Sequence, residues 1–303
     1  MKFFLTGGTG FVGTYLAKHL RQQGHELTIL SRRANPGSDP HNRSVQGDPT
    51  VPGPWQQHVA EHDVIINLAG ASIFVRWTPE NKKIIRDSRV LTTQNLVAAL
   101  AAAPERQTKI LLSTSAIGYY GDRGDEELTE DSPPGNDFLA RVAQEWEAAA
   151  LAAQDLGVRT VITRFGIVLG RGGGMLASMV PLFKSFVGGP VGSGRQWLSW
   201  IDQSDQLRAF LFVLEHPDLS GVINFCSPNP VRNAEFAEAL GRVLNRPSFL
   251  ATPAFLVKMA LGEFAPVILG GQKVLPKKLL AAGFTFAYPT IAAALQHQLA
   301  EQG

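Results

Sequence analysis

Three glycines spaced three apart, Gly7, Gly10 and Gly13, sit between an apolar pentapeptide and a segment of helical periodicity. The first glycine of such a set makes a tight turn. The second lets backbone approach a pyrophosphate, and the third lets the helix lie close on the strand. Amides at the helix start then face the anion. The spacing predicts a bound dinucleotide. Which dinucleotide is decided at the end of the second strand, where a carboxylate would chelate a ribose diol. Ser31 and Arg32 stand there instead. A carboxylate repels a 2′-phosphate, whereas a hydroxyl and a planar guanidinium fork suit one. NADP(H) is therefore expected over NAD(H). The competing reading leaves Arg32 and Arg33 as solvated loop charges. Asp48, in QGDPT, would reach an adenine amino group or else shape a turn.

Holding those residues requires regular elements, and the chain supplies them in alternation. KFFLT, ELTILS, DVIINLAG (63–70), KILLSTSA (109–116) and VRTVITRFGIVLG (158–170) are apolar runs of strand type. Between them lie helical patterns. VGTYLAKHLRQQG has Val12, Leu16 and Leu20 four apart and Gly24 as a stop. Residues 79–104 open and close on proline, and FLARVAQEWEAAALAAQDLG follows. Strands apolar on both faces, alternating with helices, predict an α/β fold: a Rossmann-type doubly wound parallel sheet with a smaller, mostly helical C-terminal lobe. The nucleotide domain is expected over 1–170, completed by about 200–227, with the smaller substrate lobe over 171–199 and 228–303. The acidic loop 121–137 is expected to be a solvated flap or a lid over the carboxyl edge of the sheet.

Composition narrows the partners. The chain has 303 residues, 45% apolar and 18% charged, which suits a folded core. Net charge is +2 with no dense basic run, so nucleic acid is not expected as a partner. No run reaches the roughly 18 apolar residues of a membrane span, and Gly7 and Gly8 interrupt the apolar start too early for a signal peptide. Cys226 is the only cysteine and lies in an apolar run. It is expected to be a buried thiol in a reducing compartment, the cytoplasm. Neither metal-ligand spacing nor a nucleophile elbow is evident. The expected partner is an unidentified small-molecule substrate, with the chain a monomer or homodimer.

TGGTGFVG, NLAG (67–70), STSAIGYYG (113–121) and RFGIVLG (164–170) together resemble signatures of the extended short-chain dehydrogenase/reductase superfamily, which includes NAD-dependent epimerases and dehydratases. RWTPENKKIIRDSR, DFLARVAQEWEAA, GSGRQWLSWI, NPVRNAEFAEALGRVLNRP and LGGQKVLPKKLLAAGFTFAYP resemble one atypical branch, the epimerase-family proteins of unassigned substrate. The resemblance covers essentially the whole chain. It implies that Thr9, Phe11 and Val12 line the pyrophosphate with the glycines. It also implies that Asn67, Leu68, Ala69 and Gly70 pass the adenosine ribose, and that Ile167 lies near the nicotinamide. Arg89 falls where the superfamily has an asparagine. It would meet cofactor phosphates or an anionic substrate, or else pair with Asp87 or Glu80 at the surface.

The departure from the superfamily lies in its catalytic pair. The resemblance implies a Ser/Thr with Tyr-x-x-x-Lys, the lysine lowering a phenol pKa that is otherwise near 10. NDFLARVAQEWEAA contains no tyrosine and no lysine. Ser115 remains, and Tyr120 or Tyr119 would replace the phenol, with Arg89 or Arg141 supplying charge. Asp137 would serve as a substitute acid or merely cap the helix beginning at Phe138. Asp205 is expected to cap the helix QLRAFLFVLE, with Asp202 standing where the superfamily has histidine. Trp197, Trp200, Arg195 and Gln196 would line a cavity between the lobes or pack a hinge. Two functions follow. One is an enzyme moving hydride between NADP(H) and a carbonyl, hydroxyl or sugar-nucleotide substrate. The alternative is a non-catalytic NADP(H) sensor.

Overall fold

The computed structural model describes residues 1–33 and 42–300. In chain order its first half holds β1 (Lys2–Thr6), α1 (Phe11–Gln22), β2 (Glu26–Ser31), β3 (Asn42–Gln46), β4 (Val64–Asn67), α2 (Pro79–Ala102), β5 (Ile110–Ala116), β6 (Glu127–Leu128) and α3 (Phe138–Leu151). The second half holds β7 (Arg159–Phe165), β8 (Ile167–Leu169), α4 (Gly174–Lys184), β9 (Trp197–Leu198), β10 (Trp200–Asp202), α5 (Gln203–Glu215), β11 (Gly221–Phe225) and β12 (Val231–Arg232). The chain ends with α6 (Asn233–Leu244), α7 (Ala254–Leu261), α8 (Ala265–Leu269), β13 (Lys273–Val274), α9 (Lys277–Ala281) and α10 (Ile291–Leu299).

Seven strands form one sheet in the order β3-β2-β1-β4-β5-β7-β11, all parallel. The order reverses between β1 and β4, so a crevice opens at their carboxyl ends. Period-two alternation sends successive residues to opposite faces. Phe3 and Leu5 pack with Leu16, Leu20 and Phe210, while Phe4 and Ile65 pack with Leu96 and Leu100. Cys226 is fully buried, and burial pushes its thiol pKa up, as a core thiol requires.

One element differs from its sequence pattern. VRTVITRFGIVLG is not a single strand. β7 ends at Phe165, and β8 leaves the large sheet to pair with β10. The switch falls at Gly166, where an added Cβ would stand 2.7 Å from the Ser199 carbonyl oxygen. Only a residue without a side chain lets the backbones pass. β8 thereby carries Leu169 into a second cluster with Leu176, Trp200, Phe236 and Leu295, the core of the C-terminal lobe.

The acidic loop is tied down on that lobe. β6 pairs with β13, and Asp125 accepts from the Trp197 indole N–H at 2.8 Å and from Arg232. Among the described residues no helix is long and apolar enough to cross a membrane.

Candidate functional site

The glycine loop closes the crevice from below. Gly7 has φ +68°, the left-handed region, and a Cβ there would lie 2.6 Å from the Leu68 carbonyl. A Cβ on Gly13 would lie 2.2 Å from the Gly7 oxygen. Both positions are therefore closed by protein. Gly10 differs, because its Cβ would meet only the Gly7 oxygen, at 3.3 Å. The space over Gly10 belongs to the crevice. Gly10 is also the N-cap of α1 and offers no side-chain cap. The first amides of α1 thus lack an internal acceptor, and the helix dipole favours an anion before them.

A cavity of about 410 Å³ opens there, lined by Gly7, Gly10, Phe11, Val12 and Gly13 on one side and by Leu68, Ala69 and Gly70 on the other. Thr9 falls outside it, in a neighbouring cavity of about 490 Å³ with Lys18 and Arg171. Asn67 also differs from expectation. It is fully buried, accepts from Thr6 Oγ1 at 2.7 Å, and donates to Thr93 Oγ1 and Ser113 Oγ. Its side chain ties β1, α2 and β5 together and does not line the cavity. Ser31 ends β2 half-buried, with Arg32 exposed beside it. The loop that follows lies outside the described residues. Asp48 takes the turn role, accepting from Thr50 N and Oγ1 at 2.9 and 2.7 Å.

Arg89 reaches the cavity from α2 and has no carboxylate partner among the described residues. Asp87 pairs with Lys83 and Arg86 instead, so the surface ion pair does not form. The guanidinium donates to the Ile85 carbonyl at 2.8 Å and lies 5.3 Å from the Trp146 ring. It passes beneath Gly70, where a Cβ would stand 3.1 Å from its central carbon. Burial pushes its pKa down to about 10. The lack of a countercharge costs free energy that an anionic ligand would restore.

The face of α3 toward the cavity carries Leu139, Val142, Ala143 and Trp146. Leu139 with Ala143 and Val142 with Trp146 are the i, i+4 pairs on that face, with nothing to titrate. Asp137 caps α3, accepting from Ala140 N at 2.9 Å, and is not among the cavity's lining residues. Arg141 points away and donates to the Asn136 carbonyl.

Beneath this apolar face runs a chain of buried polar groups. Ser115, at the cavity wall, donates to Glu147 Oε1 at 2.6 Å. Arg164 forks onto both Glu147 oxygens at 2.7 Å. Its other nitrogen donates to the Tyr120 hydroxyl at 2.8 Å, and Tyr120 donates to Asn224 Oδ1 at 2.8 Å. Burial works against the Arg164 charge, but the hydrogen bonds and field of Glu147 outweigh it, so its pKa rises. Tyr120 is completely buried, and burial drives its phenol pKa up. The expectation that Tyr120 stands at the cleft is thereby corrected: its hydroxyl is spent inside the core. Tyr119 lies under the Arg164 guanidinium, 3.4 Å from ring centre to carbon, and does not line the cavity.

Two further placements depart from expectation, those of Ile167 and of the α5 cap, while Trp200 and Gln196 take the packing role. Ile167 turns into the C-terminal lobe, while Phe165, Gly166 and Val168 line the cavity. Asp202, not Asp205, caps α5, accepting from Ser204 N at 2.8 Å. Asp205 instead accepts from Ala287 N and Tyr288 N, both at 2.8 Å. Trp200 is lobe core, and Gln196 is buried against the Val191 carbonyl. Glu147 and Arg164 escaped the sequence reading, although a signal existed. Each is a lone charge on an otherwise buried face, and two opposite orphans call for each other.

The residues present fit a dinucleotide. The α1 amides are uncapped, the space over Gly10 is open, and two residues of the cavity wall, Thr114 and Trp146, each keep a buried polar atom, Oγ1 and Nε1, without a hydrogen-bond partner.

Comparison with known proteins follows the same line. Residues 3–226 match the model of the NAD dependent epimerase/dehydratase family, and residues 252–298 match a domain of unknown function. The chain is 41% identical to the chloroplastic epimerase family protein SDR39U1 homolog of Arabidopsis thaliana, over 98% of this chain and 86% of that protein. It is 39% identical to epimerase family protein YfhF of Bacillus subtilis, over 100% and 99%. The crystal structure of human epimerase family protein SDR39U1 (isoform 2) with NADPH superimposes with a TM-score of 0.85 at 34% identity, covering 98% of this chain and 99% of that one.

Proposed function

We infer the function from one premise: the chain belongs to the NAD dependent epimerase/dehydratase family. It binds NADP(H) across the glycine loop and acts on a small molecule carrying a carbonyl or hydroxyl. The observation that carries this is the anion cradle at Gly10, uncapped and free of side chain, with Ser31 and Arg32 at the end of the neighbouring strand. The NADPH in the human relative's structure supports it.

When bound, the nicotinamide supplies hydride transfer at carbon. The chain's own residues do the rest. The α1 amides and Gly10 seat the pyrophosphate. Ser31 and Arg32 take the 2′-phosphate. Arg89 contributes the cleft's cation, and Ser115 holds a ligand polar group. Leu139, Val142, Ala143 and Trp146 keep water from that point. We propose the cytoplasm as the compartment, in keeping with the lone buried thiol.

Arg32→Ala tests the cofactor assignment. NADPH affinity should fall about tenfold while NADH affinity stays unchanged. Equal affinity for both coenzymes in the wild type would sink it. A second reading, a non-catalytic NADP(H) sensor, is favoured by Leu139 and Ala143 facing the cavity where a proton donor would be sought. Nicotinamide absorbance with a panel of aldehydes, ketones and sugar nucleotides separates the two. Turnover that disappears in Ser115→Ala supports the enzyme. Tight NADPH binding without turnover supports the sensor.

A further inference from the structure

We propose that Glu147 is a positioning residue that makes Ser115 a hydrogen-bond acceptor toward the cavity, so that this point selects a ligand group carrying an O–H or N–H. The proposal rests on the cofactor-cleft reading above. A carboxylate can only accept. Glu147 accepts from Ser115 Oγ on Oε1 at 2.6 Å and from Arg164 Nε and Nη2 at 2.7 Å, which fixes its plane. Ser115 has one proton, and Glu147 holds it. What remains for the cavity is a lone pair.

The surroundings hold that polarity. Glu147 and Arg164 are both buried, and water does not compete for either. Arg164 is held from behind by Tyr120, and Tyr120 by Asn224, whose side-chain amide donates to the Leu275 carbonyl at 3.1 Å. Reversing the serine would take from the buried Oε1 one of its two donors, leaving it Arg164 Nε alone. Nothing on the α3 face offers an alternative acceptor, because Leu139, Val142 and Ala143 are apolar. A ketone oxygen meets a lone pair at Ser115 and is disfavoured. An alcohol or a primary amide is favoured. Two sources supply that chemistry, a substrate hydroxyl and the carboxamide of the nicotinamide.

Two pairs of probes distinguish them. One is NADPH against its 3-acetylpyridine analogue, which lacks the carboxamide N–H, by calorimetry. The other is cyclohexanol against cyclohexanone, titrated by NMR into the NADP⁺ complex. In at least one pair the donor probe should lose about tenfold in Ser115→Ala while the acceptor probe holds. Glu147→Gln replaces the carboxylate with a neutral amide, weakens its hold on the serine proton and should narrow the preference. A loss confined to NADPH assigns the carboxamide, and one confined to cyclohexanol assigns the substrate. Independently of any ligand, the free protein should show a slowly exchanging hydroxyl proton that vanishes in Ser115→Ala. That variant leaves the Glu147–Arg164 pair intact and serves if Glu147→Gln fails to fold. Absence of the hydroxyl signal, or equal response of donor and acceptor probes in both pairs, overturns the proposal. A wild type that binds no NADPH defeats the cofactor reading instead, and the hydroxyl signal still decides the orientation of Ser115.

Discussion

The two walls of the cleft are made in opposite ways. At the glycine loop the shape comes from side chains that are absent, with Gly7 and Gly13 allowing backbone against backbone and Gly10 leaving room. At β5 and α3 it comes from side chains that are present but hidden, Ser115, Glu147, Arg164 and Tyr120 in one buried chain. The first wall presents local backbone dipoles. The second presents one lone pair backed by an ion pair. A cradle made of backbone tolerates no added atom, whereas a buried charge network tolerates no removed one.

Glu147→Ala tests this contrast most severely. It leaves Arg164 charged and unpaired in the core, and the loss of stability in urea unfolding should be about 3 to 5 kcal/mol. Gly13→Ala comes next. Its methyl would overlap the Gly7 carbonyl, so about 3 kcal/mol should be lost together with NADPH binding. Gly10→Ala should separate function from folding. With only a 3.3 Å contact to relieve, the melting temperature should hold while NADPH affinity drops about tenfold or more in calorimetry. If Gly10→Ala unfolds like Gly13→Ala, the space over Gly10 is structural and the contrast fails. The smallest effect belongs to Glu238→Ala, which removes an exposed i, i+4 partner of Arg242 and should leave the urea midpoint in place.

Much of the first wall was legible from short-range pattern. A glycine triplet between strand and helix, and a hydroxyl–arginine pair ending the next strand, are local features with local meanings. The strand–helix alternation likewise fixed the sheet, because apolar runs on both faces admit few arrangements. The second wall was not legible in the same way. Ser115 is separated in sequence from Glu147, and Glu147 from Arg164, and only the β5–β7 pairing with α3 across it brings them together. Tyr120 was expected at the cleft because it follows the strand end. It turns inward because Arg164 and Asn224 satisfy its hydroxyl there.

By itself, then, the amino-acid sequence determined the α/β architecture, the anion-binding turn and the lack of a Tyr-x-x-x-Lys pair, since each is written in periodicity or in residues a few positions apart. Tertiary structure alone decided which polar groups reach the cavity. Whether Ser115 meets a ligand with a proton or a lone pair depends on a carboxylate 32 residues away along the chain. Hydrogen-bond direction is set by the partner in space, and no local pattern encodes that partner.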